Sequence, residues 1–371
     1  MRRRVALSLA LWLASAAGFS AMAGKDVDGG PSAAMSARLR RGINITAWFR
    51  FPASREPAAL AAYISDQALA DLHAAGFDFV RLAIDPEVVD SAAQRAALIV
   101  AIRRIQRQGL AVIVSPHPQG WRLEASEADR DRLRAFWKAL APALRPLDPT
   151  RTVPEVLNEP VFPGDPAGWA TLQHRLLGDI RQSLPNATVV LTGQDWGSVG
   201  GLLALTPEDD ANVLYSFHTY DPVDLTSLAA YRPGLDRAAL ARLPFPVDDR
   251  ARCNAAASDS ADPPTQDLMR YYCAVGWDAP RVGGTIDRAA AWGREHHVQL
   301  LAGEFGASAE LNPAARVAWL GTVRDAFETR GIGWALWGYD DVMGLAVSRP
   351  PGPRPTLDRA VLTALGMTTR M

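Results

Sequence analysis

Little in this chain is built for metals, phosphates or membranes. Only two cysteines, Cys253 and Cys273, occur in 371 residues, and neither has a Cys or His partner at zinc spacing, which argues against a metal site. There is no Gly-x-Ser-x-Gly elbow, no His-Glu-x-x-His pair and no Gly-x-x-x-x-Gly-Lys loop, so serine-elbow, zinc-protease and nucleotide-phosphate chemistries lack their signatures. No cofactor is expected. Charge of one sign is missing too: 39 basic groups face 40 acidic ones, a balance that gives no reason to expect nucleic acid or an anionic membrane as partner. After the first 23 residues no apolar run approaches the roughly 20 residues of a membrane span. Nor does a Ser-, Gly- or Pro-rich linker divide the chain, since Pro350-Pro-Gly-Pro-Arg-Pro355 has too little sequence after it to tether a second module.

What the N-terminus does contain is an export pattern. Arg2, Arg3 and Arg4 precede an apolar stretch from Val5 to Phe19, and Ala21-Met-Ala23 before Gly24 fits small-residue cleavage. This predicts a signal peptide over 1–23 and a secreted or periplasmic protein over 24–371, the alternative being a retained N-terminal anchor. Cleavage would move the formal charge from −1 to about −4, because three arginines leave and no acidic residue precedes Asp26. An exported chain can oxidise Cys253 and Cys273, so a disulfide is expected, with two free thiols or a metal pair as the alternatives. A monomer is expected, free of membrane once cleaved.

From Arg41 onward short apolar runs alternate with amphipathic segments. The runs Arg41 to Trp48, Phe77 to Ile84, Leu110 to Pro116, Val153 to Leu157, Thr188 to Thr192, Val213 to Phe217, Leu300 to Glu304 and Gly333 to Trp337 read as strands. Helical patterns cover Asp66 to Ala75, Ala92 to Gln108, Ala128 to Leu144, Gly168 to Ser183, Ile286 to His297, Ala314 to Thr329 and Leu357 to Leu365; the helix after the fifth strand is weak, Val199 to Leu205. Alternation of this kind implies a parallel sheet, and eight repeats suit closure. The expected class is α/β, a single (β/α)₈ TIM barrel. One stretch, 222–283 after the sixth strand, breaks the rhythm; it carries both cysteines and reads as an ordered insertion over the active face.

Two glutamates at strand ends carry the most chemistry: Glu159 in Leu157-Asn-Glu-Pro160 and Glu304 in Gly303-Glu-Phe-Gly306. The carboxyl ends of barrel strands are where active sites form. Two carboxylates in one cleft are the minimum for splitting a glycosidic bond, one as proton donor and one as nucleophile or base. Around them the same strand ends present Arg81, His117, Asn158, His218, Tyr220 and Trp337.

That ordered set resembles glycoside hydrolase family 5, the cellulase-like family of retaining β-glycanases, from about Arg41 to Asp341. The motifs are Val80-Arg-Leu82, Pro116-His-Pro118, Leu157-Asn-Glu-Pro160, Phe217-His-Thr-Tyr220, Gly303-Glu-Phe-Gly306 and Leu336-Trp-Gly338. The resemblance implies Glu159 as general acid and base and Glu304 as nucleophile. It implies that Arg81 and Tyr220 keep Glu304 ionised through charge pairing and a hydrogen bond, and that Asn158 holds a sugar 2-hydroxyl. His117 and His218 would bind hydroxyls or the carboxylates, and Trp337 would lie under a sugar ring.

Other residues divide into structural and binding candidates. His73, His174, His296 and His297 lie on helical patterns and read as structural; Trp137, Trp169, Trp292 and Trp319 read as core or barrel-wall packing. Trp48, Trp121 and Trp196 sit just past strand ends and are candidates for sugar stacking. A metal-dependent deacetylase or amidohydrolase would want a tighter His/Asp cluster than His117 and His218 supply, and a noncatalytic sugar-binding barrel would not need both glutamates. The expected substrate is a β-linked glucan polysaccharide or oligosaccharide cut as by an endo-β-1,4-glucanase. Exo action, β-mannan and the producer's own exopolysaccharide are the alternatives.

Overall fold

The computed structural model describes residues 30–347 and 355–367; the expected signal segment and most of the Pro350 to Pro355 run lie outside them. Eight strands form one parallel sheet: β1 (Arg41–Phe49), β2 (Phe79–Ile84), β3 (Ala111–Pro116), β4 (Thr152–Pro154), β5 (Val189–Thr192), β6 (Val213–His218), β7 (Gln299–Phe305) and β8 (Gly333–Leu336). Their order is β4-β3-β2-β1-β8-β7-β6-β5. The two edges meet through a parallel bridge between Glu155 and Val190, where the Val156 N–H donates to the Val190 carbonyl at 3.0 Å. A sheet closed in this way, with helices between the strands, is a (β/α)₈ barrel.

β4 is shorter than the Val153 to Leu157 run suggests, yet the chain stays extended beyond it. Glu155 and Asn158 still donate from their N–H groups to the Val114 and Pro116 carbonyls, at 3.0 and 3.1 Å. The helices start where the sequence supplies side-chain caps: Ser65, Ser91, Ser126, Ser198 and Asn312 each accept from a backbone N–H in the first turn. The helix expected from Ile286 begins earlier, at Ala279, behind the Asp278 cap. The weak helix after β5 is a short one, Val199–Leu203.

Two apolar layers result. One fills the space between sheet and helices; the other plugs the lower barrel with Phe79, Ile113, Val153, Val190, Leu214, Leu301 and Ala335. Trp137, Trp169 and Trp319 are fully buried in the outer layer. Their indole N–H groups donate to the carbonyls of Val156, Thr192 and Asp221 at 2.9, 2.7 and 3.0 Å, so helices are tied to the strand ends that carry the site. Trp292 packs edge-on against Tyr215.

The stretch after β6 is helical, with helices Val223–Thr226, Arg237–Leu240, Arg250–Ser258 and Pro263–Val275. Cys253 and Cys273 join the last two as a disulfide; closing a loop of this length is worth about 3 kcal/mol in the chain-entropy model. The stretch docks beside the loop after β7: Asn312 Nδ2 donates to the Leu243 carbonyl at 2.7 Å, and the Ser308 N–H to Thr226 at 2.7 Å.

Candidate active site

Residues facing the barrel interior recur every second position, so on several strands the lower apolar plug changes to polar groups two residues further along. Phe79 is followed by Arg81, Val153 by Glu155, Ile113 by Ser115 and His117, and Leu214 by Ser216 and His218. Arg81 is wholly buried and uses all five of its N–H groups. Nε and Nη2 donate to the two oxygens of Glu155, both at 2.7 Å; Nη1 donates to Asn44 Oδ1 at 2.9 Å and Glu304 Oε1 at 2.7 Å; Nη2 also donates to Asn158 Oδ1 at 2.7 Å. Burial alone would lower the Arg81 pKa, but the charges of Glu155 and Glu304 outweigh it and hold the guanidinium protonated.

Glu304 is gripped on both oxygens, because the Tyr220 hydroxyl donates to Oε2 at 2.9 Å. Burial, and after it the charges of Glu304 and Glu159, push the Tyr220 phenol well above its usual range, so it stays a donor. His218 places Nδ1 3.0 Å from Glu159 Oε1 and 3.6 Å from Glu304 Oε2. Desolvation works against its charge, but the two carboxylates prevail and its pKa rises. The two glutamates differ in access: the Glu159 side chain is 31% exposed and that of Glu304 4%. One oxygen from each, with a His218 nitrogen, lies within 4.8 Å of the others. Such a trio could hold a metal ion, yet Arg81, Tyr220 and His218 already engage its carboxylates.

Glycine makes room for this geometry at two places. A Cβ on Gly303 would stand 2.5 Å from Ser216 Oγ and 3.1 Å from His218 Nε2, and one on Gly306 would meet the Trp337 carbonyl at 2.2 Å. Above the pair opens a cleft of about 200 Å³ lined by Arg50, His117, Trp121, Glu124, Asn158, Glu159 and Trp196, among others. A larger cavity of about 600 Å³ lies at the opposite barrel end, among Leu39, Gln299 and Gly333, far from the paired glutamates.

The "Cellulase (glycosyl hydrolase family 5)" model matches residues 42–341. The chain belongs to glycosyl hydrolase family 5. It is 26% identical over 194 residues to Endoglucanase 3 of Fibrobacter succinogenes, covering 50% of this chain and 29% of that protein. It is 22% identical over 276 residues to Endoglucanase H of Acetivibrio thermocellus, covering 72% of this chain and 26% of the relative. The chain thus spans less than a third of the length of these two relatives. The structure of Thermotoga maritima Cel5A in complex with mannotriose superposes with a TM-score of 0.71 at 21% identity, covering 89% of this chain and 98% of that one.

Arg81, Asn158, Glu159, His218, Tyr220 and Glu304 converge on one site. His117 joins its rim, with its ring 6.0 Å from Trp337 and inclined by 29°. Trp196 is 59% exposed at the cleft, held there by left-handed backbone at Asp195 and Trp196. Trp121 also lines it, under the Arg132 guanidinium at 4.2 Å. Trp48 does not line it, which corrects the expectation of a stacking role. It is fully buried, donates from Nε1 to the Leu60 carbonyl at 2.7 Å and stacks on Tyr63. The β1–β2 register slips between Ile45 and Phe49, so the alternation that aims Asn44 inward does not carry to Trp48.

The other histidines stay away from the site: His73 meets the Phe77 carbonyl, His174 meets Glu208, and His296 packs on Trp292. Three polar residues were missed from sequence. Glu155 had a visible signal, since a carboxylate in the middle of a buried strand must have a cationic partner. Asn44, which faces Arg81 in the β1–β2 register, had only its polarity among Ile43 and Ile45. Arg50 had none.

Proposed function

We propose that this chain is a retaining β-glycosidase of the endo-β-1,4-glucanase type, exported from the cell. The observation that carries this reading is the approach of Glu159 and Glu304 oxygens to within 4.8 Å. Retaining enzymes hold their carboxyl groups about 5 to 5.5 Å apart, whereas inverting ones leave roughly 6.5 to 9.5 Å for a water. Endo action on glucan is supported by the similarity to Endoglucanase 3 and Endoglucanase H. Export is supported by the Cys253–Cys273 disulfide, a bond that persists in oxidising compartments.

In the first step Glu304 attacks the anomeric carbon, the glycosidic C–O bond breaks, and Glu159 gives its proton to the departing oxygen. The more exposed glutamate is therefore the acid, and the one fixed by Arg81 and Tyr220 is the nucleophile. In the second step Glu159 takes a proton from water, whose oxygen attacks the same carbon and releases Glu304, so configuration is retained. The asymmetry of grip and exposure matches the asymmetry of roles.

The test is a comparison of variants on β-glucan, β-mannan and a dinitrophenyl β-glycoside. Glu304→Ala should lose roughly 10⁴-fold or more on every substrate. Glu159→Ala should lose comparably on polysaccharide, yet keep a fast first step on the dinitrophenyl glycoside, with azide speeding release. Product NMR should show the β-anomer first. An α-anomer first, or near-normal turnover by Glu304→Ala, would sink the assignment; cleavage of mannan but not glucan would replace the substrate.

A further inference from the structure

Among the described residues the two buried arginines are saturated with partners, and a half-buried one in the cleft is not. Arg81 spends all five N–H groups on carboxylates and amide oxygens. Arg316 reaches Ala307, Asp358, Met343 and Gly344. Arg50, just past β1, has a buried Nε with no hydrogen-bond partner, and no carboxylate of the described residues comes within ion-pair distance of its guanidinium. Its contacts are aromatic faces, Phe51 at 4.7 Å and Trp337 at 5.8 Å. Burial opposes its charge, offset only through space by Glu304 and Glu159. Glu124 lines the same cleft but pairs with Arg122 at 3.0 Å.

A second unpartnered group stands on the same wall. His117 turns Nε2 to Ser115 Oγ at 3.1 Å, and its buried Nδ1 has no partner. Burial, then the charges of Arg50, Arg81 and His218, keep this imidazole neutral. A guanidinium with a buried, unpartnered Nε waits for an acceptor, and beside it a neutral imidazole has one ring nitrogen free for a polar partner; the substrate is what enters this cleft. A guanidinium offers a planar fork that matches a carboxylate in two parallel charge-paired bonds, a geometry that a sugar hydroxyl does not supply. It would also offset the repulsion that Glu159 and Glu304 exert on an acidic sugar.

We propose that Arg50 is a specificity residue that binds a carboxylate on the sugar beside Trp337 and His117, so that the preferred substrates are acidic, uronate-type β-glycans. This rests on the glycosidase reading above and narrows its substrate class. The alternative, that Arg50 merely balances the charge of the two glutamates, predicts equal effects on acidic and neutral sugars.

The probes are cello-oligosaccharides and the same oligosaccharides oxidised at C6 to contain glucuronate units, which share one backbone and differ in charge. Binding is measured by calorimetry on the Glu304→Gln protein, and kcat/KM on the active one. The oxidised probe should bind about 10-fold tighter or more than the neutral one. Adding Arg50→Gln should collapse that ratio to about one, and Arg50→Lys, which keeps the charge without the fork, should fall between. Melting curves verify that each variant is folded. Equal binding of the two probes, or equal losses for both in Arg50→Gln, would overturn the assignment. Turnover of both probes without preference would leave the glycosidase reading standing and remove this one. A binding preference without turnover of either would do the reverse.

Discussion

The lower and upper halves of the barrel are built from the same strand runs, two or three residues apart, and solve opposite problems. Below, Phe79, Val153 and Leu301 close the interior with apolar volume, which needs shape and nothing else. Above, Arg81, Glu155 and Glu304 occupy equally buried space as charges. Burying those costs several kcal/mol per ion unless geometry and hydrogen bonds compensate. The lower half accepts any well-packed substitute, whereas the upper half works only as a complete network. The plug supports strand positions; the network above it converts those positions into a carboxylate fixed on both oxygens.

The comparison breaks most clearly at Phe79 and Arg81, neighbours on one face of β2. Phe79→Ala leaves a cavity and should cost about 3 to 5 kcal/mol. Arg81→Met leaves Glu155 without its cation and Glu304 with only Tyr220 and His218, and should cost a similar amount. The variants should part in the folded fraction: Phe79→Ala should turn over substrate normally, while Arg81→Met should lose roughly 10²-fold or more in kcat, the scale of one preorganised electrostatic contact. Urea denaturation alongside active-site-titrated kinetics checks both. Equal losses of kcat would mean that Arg81 serves packing rather than chemistry.

The strands of the lower half were legible in the sequence because short continuous apolar runs mark buried strands, although runs buried on both sides do not show which residues face inward. Of the upper half, the residues past the strand ends could be read, since Glu159, His218, Tyr220 and Glu304 stand in local motifs. What could not be read were contacts between strands: Asn44 meets Arg81 through the β1–β2 register, and Glu155 reaches it from beyond β3. Trp48 was misplaced for the same kind of reason, because a register slip is a property of two strands and shows in neither alone.

Glu155→Gln sharpens the comparison by changing charge without volume. Glutamine keeps the shape of Glu155 but sets an NH₂ donor against one arm of the Arg81 fork, so one of two bonds is lost and stability should fall by about 1 to 3 kcal/mol. Arg81 would then be neutralised by Glu304 alone and hold it harder, and a more tightly held carboxylate is a poorer nucleophile. A drop of about 10-fold in kcat with KM little changed is expected. If kcat is unchanged while stability falls, Glu155 belongs with the structural half.

The smallest effect lies in two histidines of the upper ring that burial treats alike and neighbours treat differently. In His117 burial is reinforced by Arg50, Arg81 and His218, and its pKa lies well below 6.5. In His218 burial is overcome by Glu304 and Glu159, and its pKa lies above 6.5. The linked stabilities therefore have opposite slopes. What His218 contributes as a cation is complete below its unfolded pKa, near 6.5, and is lost as pH rises through its higher folded value. His117 folds neutral, so as pH falls below 6.5 the unfolded chain takes up a proton that the native ring refuses, and stability is lost on that side. Ring-nitrogen NMR at pH 6.5 should find His218 mostly protonated and His117 neutral. His218→Gln should flatten the decline above that pH, and His117→Gln the decline below it. Two rings titrating together would mean that burial, and not the glutamate pair, governs charge in this half of the barrel.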